Sequence, residues 1–166
     1  MSEYQALIAL GSNLAKPVEQ LKGAIACLKK NNAIAIVAVS HFYRTAPVGY
    51  ANQPDFINAA ICVQTSLTPM GLLRVLNQIE DDFGRVRTFQ NAPRTLDLDL
   101  IDYAEQIWNT ERLILPHPRA HERGFVLQPL SDMVPKHHLG QYGRIEQLLQ
   151  QVDVSDIECL ADLAWE

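Results

Sequence analysis

One stretch of strict polar and apolar alternation limits the structures open to this chain more than any other. Residues 93–100 read PRTLDLDL, and a period of two predicts a β-strand with Thr95, Asp97 and Asp99 on one face. Neighbours on one face lie roughly 6 to 7 Å apart, so the two carboxylates can converge on one or two hard cations. An isolated D-x-D is more often an ordinary half-buried strand with solvated aspartates. Features elsewhere in the chain favour the metal site.

Length and composition favour one globular domain. The 166 residues are 48% hydrophobic and 20% charged, which is enough apolar content for a single core, so we expect residues 1–166 to form one domain. No basic segment followed by a long apolar run opens the chain, and we therefore expect a cytoplasmic protein without membrane contact. The three cysteines are widely separated, which predicts reduced thiols and neither disulfides nor a zinc site.

Charge is distributed unevenly along the chain. Residues 146–166 contain six acids and no lysine or arginine, and we expect residues 136–166 to be an acidic extension of the same domain. Six of the nine arginines lie between positions 85 and 123, and arginine makes planar, bidentate contacts with phosphate. A net charge of −5 disfavours a long nucleic acid as the ligand. A small anionic ligand is the expectation, with a solvated basic surface as the alternative.

Hydrophobic periodicity predicts the element order β-α-β-β-α-β. Pro17 and Pro69 mark the starts of the two predicted helices. The predicted strands are residues 4–10, 34–43, 56–65 and 93–100. This order predicts an α+β fold with a ferredoxin-like antiparallel sheet, helices packed on one face and ligand loops on the other. The polar segments 45–55 and 85–93 are predicted to be loops that close over a ligand.

Two aromatic side chains and one amide form a second candidate set. Phe56 and Phe125 could sandwich a planar heterocycle, although packing in the core is the alternative for both. Asn58 lies in an otherwise apolar predicted strand, where a buried amide needs hydrogen-bond partners. An arginine clamp around the metals could include His117, for which a structural role between two prolines is at least as good an explanation.

Seven short motifs occur in the order of one enzyme family. They are G-S-N at 11–13, F-Y-R-T at 42–45, Q-P-D-F-I-N-A-A at 53–60, G-R-V-R at 84–87, P-R-T-L-D-L-D at 93–99, L-P-H-P-R at 115–119 and R-G-F at 123–125. With them, the chain closely resembles the 6-hydroxymethyl-7,8-dihydropterin pyrophosphokinases of folate biosynthesis. The P-R-T-L-D-L-D and F-x-N-A-A segments are specific, whereas G-S-N is weak. The resemblance implies one α+β domain that transfers the pyrophosphoryl group of ATP to the pterin hydroxymethyl oxygen and releases AMP.

The resemblance also implies roles for individual side chains. Asp97 and Asp99 would bind two Mg²⁺ ions that bridge the triphosphate. The implied ATP-binding residues are Arg85, Arg94, Arg112, His117 and Arg123, of which the first two would also stabilise the transfer. The implied pterin-binding residues are Thr45, Val48, Phe56, Asn58 and Phe125. No covalent nucleophile is needed, and a monomer is expected. Asn91 stands where many relatives place an aromatic residue.

Other functions fit the sequence less well. A nucleotidyltransferase combines a G-S turn with paired aspartates, but Ser12 is far from Asp97 in the sequence. The segment Arg123-Gly124-Phe125 is similar to the start of RNA-binding ferredoxin-like sheets, yet the acidic extension disfavours RNA. A pterin-binding relative that has lost catalysis would not need the aspartates and the phosphate-facing arginines that are present here.

Overall fold

An antiparallel sheet of six strands organises the described part of the chain. The computed structural model describes residues 3–13, 15–46, 55–84 and 96–163. The strands are β1 (Tyr4–Ser12), β2 (Ile34–Val39), β3 (Phe42–Thr45), β4 (Phe56–Thr65), β5 (Leu96–Tyr103), β6 (Trp108–Asn109), β7 (Ile114–Leu115) and β8 (Glu158–Leu160). The sheet order is β5-β1-β4-β3-β8, with β2 also paired to β4, and β6 and β7 form a separate pair.

In the described part of the chain, four α-helices surround the sheet. They are α1 (Pro17–Lys30), α2 (Pro69–Gly84), α3 (Gly124–Met133) and α4 (Ile145–Leu149), and single 3-10 turns form at Ala120–Glu122 and Gly140–Tyr142. Both helix starts predicted from proline are confirmed. The Thr68 hydroxyl accepts the Gly71 N–H at 3.0 Å and so caps α2. Within the described ranges, no helix is long and apolar enough to cross a membrane.

The predicted strands differ from the structure at three places, one of which is the fourth strand, because β5 continues to Tyr103 and not only to residue 100. The third predicted strand matches β4 at both ends. The second divides into β2 and β3, because the Ser40 hydroxyl accepts the Ala60 N–H at 2.8 Å and donates to the His41 carbonyl at 2.7 Å. The Ser40 side chain thus replaces a main-chain acceptor, while the Ser40 N–H still donates to the Ala60 carbonyl at 2.9 Å. The first strand continues through Ser12, beyond its predicted end at residue 10.

Helices pack on both faces of the sheet, which corrects the prediction of helices on one face only. Buried side chains of α1 and α2 pack with Ile8, Ile61 and Leu98 in one cluster. Buried side chains of α3 and α4 pack with Leu7 and Ile101 in a second cluster. α3 and α4 cover the end of this face that carries Leu7 and Ile101. The other end carries the polar side chains of Asn58, Asp97 and Asp99 beside Phe56, and it stays open.

A buried ion pair joins the chain after α3 to β5. Asp102 is 1% exposed, and one of its oxygens lies 3.1 Å from His137 Nε2 and also accepts the Glu105 N–H at 3.2 Å. Its other oxygen has no partner among the described residues. The hydrogen bond to Asp102 raises the pKa of His137, against the opposing effect of burial. Protonated His137 therefore stabilises the buried carboxylate.

The hydrogen bond between His137 and Asp102 predicts that the stability of the fold depends on pH. Because folding raises the pKa of His137, the stabilisation is fully present below the unfolded pKa of about 6.5 and is lost as pH rises through the folded value. His137→Gln should lower the free energy of unfolding by about 1 to 2 kcal/mol at pH 6 and by less at pH 9. Urea unfolding at both pH values measures this. If His137→Gln lowers the free energy of unfolding equally at the two pH values, the charge of the imidazole does not contribute to stability.

Candidate functional site

A cavity of about 640 Å³ lies at the polar end of the second face. Small residues of β1 form its floor, and the strand register sets its sides. Gly11 is paired with Asn58 of β4 on one edge and with Asp97 of β5 on the other. Ala9 is likewise paired with Asp99. The amide and the two carboxylates thus face one cavity, about 10 Å apart across the middle strand.

Gly11 allows the amide to cross the floor of this cavity. A Cβ at this position would lie 2.8 Å from Asn58 Oδ1, which is closer than such atoms approach in folded proteins. The Asn58 side chain is buried and donates from Nδ2 to Thr45 Oγ1 at 2.9 Å. The predicted partner for a buried amide is therefore found, and Thr45 fixes the orientation of the Asn58 amide.

Phe56 and Phe125 both line the same cavity. Phe56 is the first residue of β4, and Phe125 lies in the first turn of α3. Each is half-buried, and Phe125 also packs against the second cluster. The Arg123 guanidinium carbon lies 5.7 Å from the centroid of the Phe125 ring, within the range of a cation–π contact. The two aromatic rings therefore belong to the walls of an open cavity as well as to the core.

The carboxylates differ in their surroundings. Asp97 is exposed, whereas Asp99 is partly buried. Burial raises the pKa of Asp99, and the positive charge of Arg123 partly opposes that shift. Arg119 and Arg123 line the cavity on the side of α3. Carboxylates facing guanidinium groups across an open space form a site that can hold both a cation and an anion.

A second cavity, of about 280 Å³, lies between α2 and β5. Arg112 and His117, both predicted from sequence, line it together with Leu73 and Ile114. Asp99 lines both cavities. A ligand in the second cavity and a ligand in the first would therefore meet at Asp99.

His117 is held in a fixed orientation beside the second cavity. Its main-chain N–H donates to the Ile101 carbonyl at 2.8 Å, and its Nδ1 accepts the Arg119 N–H at 3.1 Å. Burial lowers the pKa of His117, and the charges of Arg123 and Arg119 lower it further. The imidazole is therefore neutral at pH 7, with Nδ1 as acceptor and Nε2 as donor. The sequence left a structural role and a role in ligand binding as alternatives for His117, and the structure gives it both structural contacts and a position beside a cavity.

Sequence reasoning missed Glu80. Its Oε2 accepts the N–H of Leu98, the residue between the two aspartates, at 2.7 Å, and Glu80 also lines the second cavity. Burial raises its pKa to about 7, the nearby charges of Asp97 and Asp99 add to the rise, and the bond from Leu98 opposes it. The residue lies next to Ile79 of the apolar stripe of α2, and no motif distinguishes it from an ordinary helix acid. The pairing with β5 could not be read from the sequence.

Several predicted site residues lie outside the described residues. They are Arg85, Arg94 and Val48, and the same holds for Thr95, Asn91 and most of the two loops predicted at 45–55 and 85–93. Of the remaining predicted residues, five line the first cavity with the two aspartates: Thr45, Phe56, Asn58, Arg123 and Phe125. Arg112 and His117 line the second.

A polar clasp fixes α3 beside β3. Asp132, in the last turn of α3, accepts hydrogen bonds from the Tyr43 hydroxyl at 2.7 and 2.8 Å and from the His41 N–H at 3.1 Å. Burial, with Asp132 adding to it, raises the pKa of Tyr43. An acid at the carboxyl end of a helix is unfavourable for the helix itself. Its contacts with β3 therefore account for Asp132 at this position.

Comparisons with known proteins agree on one family. The family model described as 7,8-dihydro-6-hydroxymethylpterin-pyrophosphokinase matches residues 7–135. The 2-amino-4-hydroxy-6-hydroxymethyldihydropteridine pyrophosphokinase of Bacillus subtilis is 44% identical over 128 residues, which are 77% of this chain and 77% of that protein. The protein of the same name from Pseudomonas aeruginosa is 40% identical over 153 residues, which cover 92% of this chain and 94% of that protein.

The fold also occurs in a solved structure. Plasmodium falciparum HPPK-DHPS, crystallised as the wild type with pterin and p-hydroxybenzoate, matches with a TM-score of 0.71 at 16% identity. The match covers 91% of this chain and 42% of that chain. The chain thus spans less than half the length of that protein, and at this identity the likeness bears on the fold alone.

The clasp predicts energetic coupling between two side chains. Tyr43→Phe and Asp132→Ala should each lower the free energy of unfolding by about 1 to 3 kcal/mol. The double variant should cost less than the sum, by about 1 kcal/mol, because each single change already breaks the same bond. Chemical denaturation of the four proteins measures the coupling. Arg44→Ala is the matched control, because it removes an ion pair on β3 whose partner Glu158 is exposed. Strict additivity of the Tyr43 and Asp132 effects would contradict the clasp.

Proposed function

This chain belongs to the 7,8-dihydro-6-hydroxymethylpterin-pyrophosphokinase family, and we propose that it transfers the pyrophosphoryl group of ATP to the hydroxymethyl oxygen of 6-hydroxymethyl-7,8-dihydropterin and releases AMP, in folate synthesis. The observation that carries this proposal is the meeting of two cavities at Asp99. Such a transfer needs two substrates held against each other at a place where phosphate charge is offset.

The first cavity is the proposed pterin subsite. Phe56 and Phe125 offer flat faces to a planar ring, and offset stacking on aromatic side chains favours such a ligand. Asn58, held by Thr45, lies at the floor, where an amide can both donate to and accept from the ring edge. We assign Val48 to the same edge from the resemblance.

The second cavity is the proposed ATP subsite. Apolar side chains of Leu73, Leu100 and Ile114 line it together with Arg112 and His117, a combination that suits an adenosine carrying phosphates. Arg123 lines the first cavity and its charge acts on both Asp99 and His117, so it lies where the phosphates would cross between the two. We assign Arg85 and Arg94 to the phosphates from the resemblance.

Asp97 and Asp99 fit a magnesium site. Mg²⁺ takes oxygen ligands and is usually held by one or two carboxylates together with substrate phosphates. Within the described ranges, no group of three or more histidine, cysteine or acidic side chains is arranged to hold a metal ion. A site built from two aspartates therefore requires further ligands from the nucleotide, and we propose two Mg²⁺ ions there. Bound ions would offset the charge of the triphosphate.

The protein's own contribution is positioning and charge compensation. The hydroxymethyl oxygen attacks the β-phosphorus in line, the bond from that phosphorus to the α,β-bridging oxygen breaks, and the hydroxyl proton leaves to solvent. The pterin cavity fixes the attacking oxygen, and the arginines offset the charge on the transferred group. The loops at 45–55 and 85–93 are proposed to close over the filled site.

The remaining assignments are proposals of the same kind. The strand order β5-β1-β4-β3 supports a ferredoxin-like plan. We further propose that residues 1–166 form one domain that acts as a cytoplasmic monomer and binds no nucleic acid.

One assay tests the proposed function together with its metal assignment. With Mg²⁺, ATP and hydroxymethyl dihydropterin, the protein should form AMP and pyrophosphorylated pterin in equal amounts. Asp97→Ala and Asp99→Ala should each lower kcat by about a thousandfold or more, because each removes a carboxylate that is proposed to hold the metal ions. The melting temperature of the Asp99→Ala variant should not fall, since burial already disfavours the charged form of this carboxyl.

The control for that experiment is Glu19→Ala, which removes an exposed acid from the first turn of α1 and should leave kcat unchanged. ADP as the product in place of AMP would overturn the proposed reaction. Full turnover by either aspartate variant would overturn the metal assignment.

The two cavities predict separable effects on the two substrates. Phe125→Ala should raise the pterin KM by about fivefold or more, through loss of a stacking face and of burial, and should leave the ATP KM nearly unchanged. Arg112→Ala should raise the ATP KM by about threefold to tenfold and spare the pterin KM. Initial rates with each substrate varied in turn measure both constants. If Phe125→Ala melts the protein and spares the pterin KM of the folded fraction, Phe125 is only a core residue.

A further inference from the structure

We propose that residues 153–157, here named the strap, form a wall of the pterin subsite and set how tightly the ring is held. The strap lies beyond residue 135, where the match to the family model ends. This inference rests on the proposed function and adds a positioning element to it. Three strap residues, Asp153, Asp156 and Ile157, line the first cavity beside Phe56 and Phe125.

The strap is a folded turn held by its own hydrogen bonds. The Ser155 N–H donates to Asp153 Oδ1 at 2.9 Å, and the Ile157 N–H donates to the Val154 carbonyl at 3.1 Å. The first of these bonds lowers the pKa of Asp153. A segment with this internal bonding has a defined shape to present to the cavity.

The sheet holds the strap from the other side. Immediately after it, β8 pairs with β3, and Tyr43 is opposite Cys159 in that pairing. β3 ends at Thr45, which holds the Asn58 amide at 2.9 Å. The strap is thus attached to the strand that carries one side of the cavity, and it contacts the helix that carries another.

The contact with α3 occurs at Gly124, the residue before Phe125. A Cβ at Gly124 would lie 3.0 Å from Val154 Cγ1, 3.1 Å from the Asp153 carbonyl oxygen and 3.2 Å from Ile157 Cδ1. Three strap residues therefore occupy the space that a side chain would need. Any residue larger than glycine must move either the strap or the first turn of α3.

Through this packing, the strap can affect how the pterin ring is held. Phe125 follows Gly124 in the chain, so a displacement of α3 from the strap moves a stacking face. Ile157 lies within 3.2 Å of the place that a Cβ of residue 124 would take, and it also lines the cavity. The strap therefore acts on the pterin and not on the nucleotide, because none of its residues lines the second cavity.

The test is a substitution at the contact and a second substitution that relieves it. Gly124→Ala should raise the pterin KM by about tenfold through overpacking, with the ATP KM within about twofold of wild type. Adding Val154→Ala removes the atom nearest to the new Cβ and should recover about threefold or more of that loss. Asp162→Ala, an exposed acid beyond β8, is the control and should change neither constant.

Ile157→Ala tests the role of the strap in pterin binding if the Gly124→Ala variant does not fold. It removes a side chain from the cavity wall without adding bulk, and should raise the pterin KM by about fivefold. Calorimetric titration with the pterin should show the same loss in affinity as the KM values.

The outcomes separate this inference from the proposed function. Wild-type protein that makes no AMP overturns the proposed function. If the wild-type protein turns over normally but the Gly124 and Ile157 variants keep an unchanged pterin KM, the proposed role of the strap is wrong and the proposed function stands. The same holds if Val154→Ala gives no recovery, or if the KM values for pterin and ATP rise together.

Discussion

The register of β1 between β4 and β5 is the constraint on which the rest of the structure depends. β1 is hydrogen-bonded on both edges, and its residues face two different clusters in alternation: Ile8 and Leu10 face α1 and α2, whereas Leu7 faces α3 and α4. A slip of one residue would exchange these two sets, so both cores fix the same register. That register places Gly11 between Asn58 and Asp97. The packing of the two cores and the position of the site therefore have one cause.

The second face of the sheet is divided into a covered half and an open half, and this division creates the cavity. The apolar half, with Leu7 and Ile101, is covered by α3 and α4. The open half, with Asn58, Asp97 and Asp99, would lose its hydration under a helix, and burying carboxylates is costly. α3 therefore begins at the boundary, and its first turn brings Phe125 to the cavity. Its far end is held by Asp132 on β3.

Local patterns predicted β4, the starts of α1 and α2, and the strand with two aspartates, because each depends on periodicity or on caps within a few residues. The predicted residues Thr45, Phe56, Asn58 and Phe125 do line one cavity; the residue types alone suggested the two aromatic side chains and the amide, whereas Thr45 followed from the family resemblance. The break at Ser40, the bond from Leu98 to Glu80 and the strap were missed. Each depends on a contact between residues distant in sequence, and β8 has only three residues, which is too short for any period to appear.

Glu80 shows why three carboxylates lie close together in the site although they repel one another. β5 is the edge strand of the described sheet, so the Leu98 N–H on its outer side needs a partner other than a strand. Glu80 supplies one at 2.7 Å, but it places a third carboxylate near Asp97 and Asp99, and their charges add to the rise that burial causes in the pKa of Glu80. In the proposed function, cations and arginines would offset this charge when substrates bind. The acids that repel one another without ligands are thus the ones that would hold the cations, and those cations would in turn attract the triphosphate.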